Sequence, residues 1–232
     1  MTKKHKISVC IATYNGEKYI SEQLDSILSQ LSENDEVVIS DDASTDNTVN
    51  IIKSYRDSRL KVFRNINKPG VVGNFDNAIS NANGDICFLA DQDDIWKSNK
   101  VKRILDFFSD NPEYTCVFSN AELIDENNVK IVDHFFKSVP KTNFFRMVLK
   151  NEFLGCTMAF RNTIKLTPFS DDLPMHDWYI GLKHIQNGKV GFINENLISY
   201  RRHGANVTTG KRSDLLQVFK WRISILKAIY SK

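Results

Sequence analysis

The chain has 232 residues, 41% of them apolar and 25% charged, with a formal net charge of +3. That composition fits one globular domain with a sizeable core. So slight a charge argues against a nucleic-acid binder, which calls for a marked basic stripe. No run of about 20 apolar residues is present to span a membrane. The apolar run after the basic Lys3-Lys4-His5-Lys6 is too short for a secretory leader. Cys10, Cys87, Cys116 and Cys156 each sit in an apolar run and form no CxxC pair, as small buried hydrophobes of a reducing cytoplasm do.

Ile7 to Ala12 reads as a first strand, Thr13-Tyr14-Asn15-Gly16 as a turn, and Ile20, Leu24, Ile27, Leu28 and Leu31 recur at helical spacing. Val37 to Ile39 gives a second strand that ends at Asp41-Asp42. Ser44 to Thr48 then supplies capping residues for a helix faced by Val49, Ile52 and Tyr55. A third strand (Leu60 to Phe63), a glycine-led helix (Gly70 to Ala82) and a fourth strand (Ile86 to Leu89) follow. Val101, Ile104, Leu105 and Phe108 mark a helix stopped by Asn111-Pro112, and Thr115 to Ser119 a fifth strand. This alternation predicts an α/β fold: a single Rossmann-like domain over residues 1–213, with a mainly parallel central sheet flanked by helices.

The second half is less regular. Residues 134–145, with Phe135, Phe136, Pro140, Phe144 and Phe145, read either as a mobile loop over a site or as aromatic core. Gly155 to Phe160 reads as a strand, His176 to Ile185 as a helix ended by Asn187-Gly188, and Val190 to Ile193 and Leu197 to Tyr200 as short strands. Asp214 to Lys232 is a basic, aromatic-bearing amphipathic helix. Such a helix lies in a membrane interface, or packs on its own domain or on a second subunit of a homodimer.

The fourth strand runs straight into Asp91-Gln92-Asp93-Asp94. Crowded carboxylates repel one another and are costly to desolvate, so they need cations nearby. Hard oxygen ligands suit Mn²⁺ or Mg²⁺, and these ions suit a diphosphate. An acidic loop that caps the helix beginning near Ser98 is the other reading. Parallel sheets bind ligands outside the carboxyl ends of their strands. Thr13-Tyr14-Asn15, Asp41-Asp42 and Asp91 to Asp94 all fall at such ends.

The motifs Ile-Ala-Thr-Tyr-Asn-Gly, Ser-Asp-Asp-Ala-Ser-Thr-Asp-Asn-Thr, Asp-Gln-Asp-Asp-Ile-Trp and His-Asp-Trp occur in that order. Together they resemble the family 2 glycosyltransferases, inverting enzymes of the GT-A fold, over residues 7–205, nearly the whole chain. Tyr200-Arg201-Arg202-His203-Gly204 is similar to a segment of the bacterial branch that elongates O-antigen, capsule and exopolysaccharide. The resemblance implies metal-assisted transfer of a hexose from a UDP- or dTDP-sugar to a glycan acceptor linked to undecaprenyl diphosphate. The enzyme would then work in the cytoplasm, at the inner face of the plasma membrane, and without nucleic acid.

By the same resemblance, Asp93 is the metal ligand of the DxD motif, and Asp91 binds the ribose or reaches the metal through water. Asp94 is a third carboxylate. His203 completes the metal shell or touches the diphosphate, unless it is a plain surface histidine. Asp41 or Asp42 accepts the N3–H of uracil or thymine, a donor that cytosine lacks, while the other caps the next helix. Thr13, Tyr14 and Asn15 form the floor under base and ribose, with Tyr14 stacked on the base or else part of the core. Relatives carry an arginine in the helix matching Gly73 to Asn77; this chain has none there, which leaves Arg201, Arg202 or Lys68 for the phosphates. Trp178 packs beneath a sugar. Asp177 is the general base that takes the acceptor's proton, or else an N-cap. His176 stands where relatives have an acidic neighbour. Two other classes remain: a nucleotide-binding module that has lost catalysis, and a nucleotidyltransferase. The latter usually has a glycine-rich basic loop where this chain has Thr-Tyr-Asn-Gly-Glu.

Overall fold

The computed structural model describes residues 5–204 and 214–230; Lys3-Lys4 and the domain boundary expected at residue 213 lie outside the described residues. The first half alternates as expected: β1 (Ile7–Thr13), α1 (Ile20–Leu28), β2 (Glu36–Asp41), α2 (Thr48–Ser54), β3 (Leu60–Arg64), α3 (Val71–Ser80) and β4 (Ile86–Ala90). The four strands lie in the order β3-β2-β1-β4 and all run parallel. The near-continuous apolar sequence of β1 and β4 and the apolar middle of β2 follow from burial on both faces, whereas the edge strand β3 carries exposed Lys61 and Arg64. Val9, Ile11, Phe88 and Ala90 pack with Ile20, Leu24 and Ile27 of α1 on one side. The alternate residues Cys10, Cys87 and Leu89 pack with Phe75, Ala78 and Ile79 of α3 on the other.

The remaining elements are β5 (Ile95–Trp96), α4 (Lys100–Asp110), β6 (Tyr114–Ile124), β7 (Lys130–Val132), α5 (Phe144–Leu149), a 3₁₀ turn (Gly155–Thr157), β8 (Ala159–Arg161), α6 (His176–Asn187), β9 (Lys189–Arg201) and α7 (Leu215–Tyr230). The whole sheet runs β3-β2-β1-β4-β8-β6-β9-β5, with β7 on β6. Several expectations are corrected by this arrangement. The fifth strand of the alternation, β6, is separated from β4 by β8, which is antiparallel to both. The strand expected at Gly155 to Phe160 is a 3₁₀ turn followed by β8, because Thr157 donates both its N–H (3.0 Å) and its Oγ1–H (2.7 Å) to Leu154 O. The two short strands at 190–200 are one strand, β9, whose register against β6 shifts where polar Asn194-Glu195-Asn196 breaks the apolar pattern. Of residues 134–145, none is fully buried, but three phenylalanines, Phe135, Phe136 and Phe144, are partly buried and packed against the core, whereas Lys137, Val139 and Phe145 are exposed. Phe135 and Phe136 pack on the two hydrophobic clusters, and Asn120 clamps Phe136 by donating to its carbonyl and accepting its N–H, each at 2.9 Å.

One buried carboxylate ties the parallel half together. Glu36, 2% exposed, accepts from Ser8 Oγ, Asn83 N–H and Lys61 Nζ. Burial alone would raise its pKa, but these donors and the Lys6 charge outweigh burial and hold it at about 2, against 4.5 unperturbed. A depressed carboxylate stabilises the fold above its unfolded pKa and loses that contribution as pH falls through the folded one. Denaturant midpoints are therefore expected to drop between pH 4.5 and 2. Glu36→Gln should flatten that limb, at a cost near neutral pH of roughly 3 kcal/mol.

Candidate active site

Strands β1, β2 and β4 deliver their polar motifs to one sheet edge, where the loops are knitted together. Asp41 Oδ1 accepts from Thr13 Oγ1 (3.0 Å) and Ser44 Oγ (2.6 Å), and its Oδ2 from Ser44 N–H (2.9 Å). Asn15, at φ 49, sits in the left-handed region that Asn tolerates. Its Oδ1 accepts Thr45 N–H at 2.8 Å. Gln92 brackets Tyr14, accepting its N–H (2.9 Å) and donating to its carbonyl (3.0 Å). A Cβ on the next residue, Gly16, would lie 2.2 Å from Gln92 Oε1 and would push aside the amide that brackets Tyr14. The Tyr14 ring is left 57% exposed, so it is not a core tyrosine. Asp42 is half-buried, and its two oxygens accept from Asn65 Nδ2 (2.8 Å) and Gly70 N–H (2.7 Å). Each oxygen has a second lone pair for a ligand. Of the two aspartates, Asp41 serves the loop and Asp42 offers the more accessible carboxylate.

The acidic cluster is placed by the pairing of β5 with β9, which sets Asp93 and Asp94 against Arg201. Asp94 is fully buried; Oδ1 accepts Arg201 N–H at 2.9 Å, and Oδ2 has no hydrogen-bond partner. Asp93 Oδ2 lies 2.6 Å from His203 Nε2. Burial, and then the Asp93 and Asp177 charges, push Asp91 up to about 7, with Lys100 opposing. Burial, and then Asp93 and Asp91, hold Asp94 well above the usual carboxylate range. Lys100 is fully buried, donates to Cys156 O at 2.8 Å and lies 4.1 Å from the centre of the Trp96 ring. Burial lowers it to about 7, against the pull of Cys156, Asp94 and Asp91.

These donors fit a hard divalent cation. Carboxylate oxygens from the β4–β5 loop meet one imidazole from the end of β9, and a buried oxygen of Asp94 has no hydrogen-bond partner. Cys156 lies in a group with Asp91 and Asp94, their ligand atoms all within 4.8 Å of one another. Burial and both carboxylates raise its thiol well above the usual range. It stays protonated, and a neutral thiol is a poor ligand for a hard cation.

A fourth carboxylate approaches from α6. Asp177 lies in the first turn, where Met175, not Asp177, is the N-cap. Its Oδ1 accepts Trp178 N–H (2.6 Å) and Asn151 Nδ2 (3.1 Å), and burial raises it to about 6. The 3₁₀ turn spaces it from the acidic cluster. A Cβ on Gly155 would lie 2.9 Å from His176 Nε2 and 3.3 Å from Asp177 Cβ, and the next residue, Cys156, touches Asp91 and Asp94. His176 stacks on Phe75 at 4.0 Å with both ring nitrogens unpartnered, and burial keeps it neutral, with a pKa of about 3.

Two expected ligand contacts are corrected. Trp178 does not lie under a sugar: it is 5% exposed in the core, its Nε1–H donating to Met147 O at 2.6 Å. Arg201 is 1% exposed and braces the cluster from inside. It donates to Asp93 O (2.7 Å), Glu22 (2.6 Å) and Asn128, with Tyr19 under its guanidinium. Its alternation partner Arg202 lies over Tyr200, and Lys68 donates to Asp171 O at 2.8 Å. Thr13 is buried, so its side chain supports the floor rather than lining it. Sequence reasoning missed Gln92, Lys100, Asn151 and Gly155. Lys100 had a signal: with Ile104 and Phe108 it repeats every four residues along the buried face of α4, where a charge needs a reason.

The architecture is that of the GT-A nucleotide-sugar transferases. Over 98% of this chain and 68% of its own, Staphylococcus aureus TarS (residues 1–349, solved with UDP-GlcNAc) superposes with a TM-score of 0.71 at 21% identity. The family model Glycosyl transferase family 2 matches residues 8–165, and the chain belongs to that family. Among curated relatives it is 30% identical to the Escherichia coli UDP-Glc:alpha-D-GlcNAc-diphosphoundecaprenol beta-1,3-glucosyltransferase WfgD, over 90% of this chain and 82% of the relative. It is 32% identical to the Shigella flexneri dTDP-rhamnosyl transferase RfbG, over 85% of this chain and 75% of the relative. The chain is thus a family 2 glycosyl transferase, and these two bacterial relatives are named for UDP-glucose and dTDP-rhamnose.

Proposed function

We propose that the chain transfers a hexose from a UDP-sugar, or a dTDP-sugar, to a lipid-linked glycan with inversion at the anomeric carbon. The observation that carries this reading is the placement of Asp177 one 3₁₀ turn away from the Asp91–Asp94 cluster. In a direct displacement, Asp177 takes the proton of the acceptor hydroxyl as its oxygen bonds to the anomeric carbon. The bond from that carbon to the diphosphate breaks, and the nucleoside diphosphate leaves. Asp93, with Asp91 and His203, would hold Mn²⁺ or Mg²⁺, whose charge would offset that of the diphosphate leaving group. Asp42 accepts the N3–H of the base while Tyr14 and Asn15 flank it. Arg202 is the arginine left to face the phosphates. The lipid-linked acceptor is supported by the diphosphoundecaprenol named for the Escherichia coli relative.

Calorimetry with Mn²⁺ tests the donor half. UDP is expected to bind roughly ten- to a hundredfold better than CDP, because a buried acceptor left unpaired costs about 1–3 kcal/mol. Asp42→Ala should remove that preference. Equal affinity of the wild type for UDP and CDP would overturn the base-reading role.

A further inference from the structure

Residues 144–150 and 215–230 contain Arg146, Lys150, Lys220, Arg222 and Lys227 and no acidic residue. On α5, Phe145 (77% exposed) and Leu149 (60%) are one helical turn apart. On α7, Leu215 (84%), Phe219 (60%) and Ile223 (38%) repeat every four residues, with Leu216 (69%) beside them. The opposite stripe of α7, Ile225, Ala228 and Ile229, is buried in the domain core. Arg222 Nη2 donates to Leu149 O at 2.6 Å, so the two helices form one unit. α7 therefore does both things that its sequence allows: its inner stripe packs on the domain and its outer stripe is left exposed. No helix among the described residues is long and apolar enough to cross a membrane.

We infer that α5 and α7 together form a surface that lies in the interface of an anionic bilayer, with the acceptor side of the site facing it. Six exposed large apolar side chains edged by cations are the pattern of an interfacial helix pair. Charge selects the occupant. Arg146 and Lys150 share Glu152, and the helices' other three cations have no ion pair with an acid among the described residues. A second copy would set like charges against like, whereas anionic headgroups complement them. Position gives the surface its use. The chain passes from Leu149 through Lys150 to Asn151, whose side chain holds Asp177. An acceptor sugar carried on a lipid thus meets the base from the membrane side. The proposal rests on the lipid-linked reading above for this use, but not for the binding itself.

The test is flotation of the full chain with phosphatidylcholine vesicles, with and without phosphatidylglycerol, in the absence of donor and acceptor. The wild type should float with the anionic vesicles and be released by salt. Phe145→Glu/Leu149→Glu on α5 and Leu216→Glu/Phe219→Glu on α7 should each weaken partitioning about tenfold or more. Melting temperature and donor hydrolysis by water should hold. Failure of the wild type to bind anionic vesicles overturns the proposal, as does loss through α7 alone with α5 silent. So does a dimer in light scattering that either pair of substitutions dissociates. Vesicle binding that persists while a soluble acceptor is never glycosylated would overturn the transfer reading instead.

Discussion

Asp93→Ala is expected to abolish sugar transfer while the protein stays folded. Its carboxylate sits at a strand end facing His203 rather than inside either core cluster, so its loss removes a ligand and leaves the packing in place. Neutralising charge on a leaving diphosphate is worth several kcal/mol, so the rate should fall by about a thousandfold or more. Excess EDTA should reproduce the loss in the wild type. His203→Ala should raise the Mn²⁺ concentration needed for half-maximal rate and spare the rate at saturation. Initial rates across a Mn²⁺ titration separate these effects. Undiminished turnover in excess EDTA would remove the metal assignment.

Asp177→Asn should be nearly as damaging, for a different reason. The amide keeps the shape and the hydrogen bond to Asn151 but has almost no basicity, and general-base catalysis contributes about 10²–10⁴-fold. Donor affinity should barely move, so kcat falls while calorimetric UDP binding holds. The pH profile carries a second signature. Burial raises Asp177 to about 6, and only the ionised form accepts a proton. kcat should therefore decline about tenfold per pH unit below that value, and Asp177→Asn should erase the limb. NMR of the product should show an inverted linkage. A near-normal kcat in the mutant would place the base elsewhere. Glu152 is poorly suited to the role, since Arg146 and Lys150 pair with it and, outweighing burial, keep it ionised and a weak base.

The parallel half was legible because three of its four strands are buried on both faces and its helices carry a clear stripe: Val37 to Ile39 and the Ile20–Leu24–Ile27 series leave little choice. The motif residues fell at strand ends for the same reason. The second half was not legible, because its order depends on contacts distant in sequence. β8 is three residues long and gains a place only by pairing with both β4 and β6. β5 is two residues long, and pairing with β9 is what defines it. Trp178 and Arg201 misled because an aromatic or an arginine in a motif looks like a ligand contact until its burial is known; both are enclosed by long-range packing. Asn151 lies in irregular backbone and Gly155 opens a three-residue 3₁₀ turn, and no period announces either.

The antiparallel insertion of β8 has a consequence for how such enzymes diversify. The family match ends at residue 165, so the nucleotide-facing loops, the acidic cluster and β8 fall within the shared stretch, whereas Asp177 lies beyond it. The short 3₁₀ turn at Gly155–Thr157 therefore stands between the donor loops and acidic cluster on one side and α6 with Asp177 on the other. On the transfer reading proposed above, substitution in α6 and in α5 and α7 packed on it can refit the acceptor side to a new sugar. It need not disturb the machinery that grips the donor, provided that Gly155 keeps the two sides at the same separation.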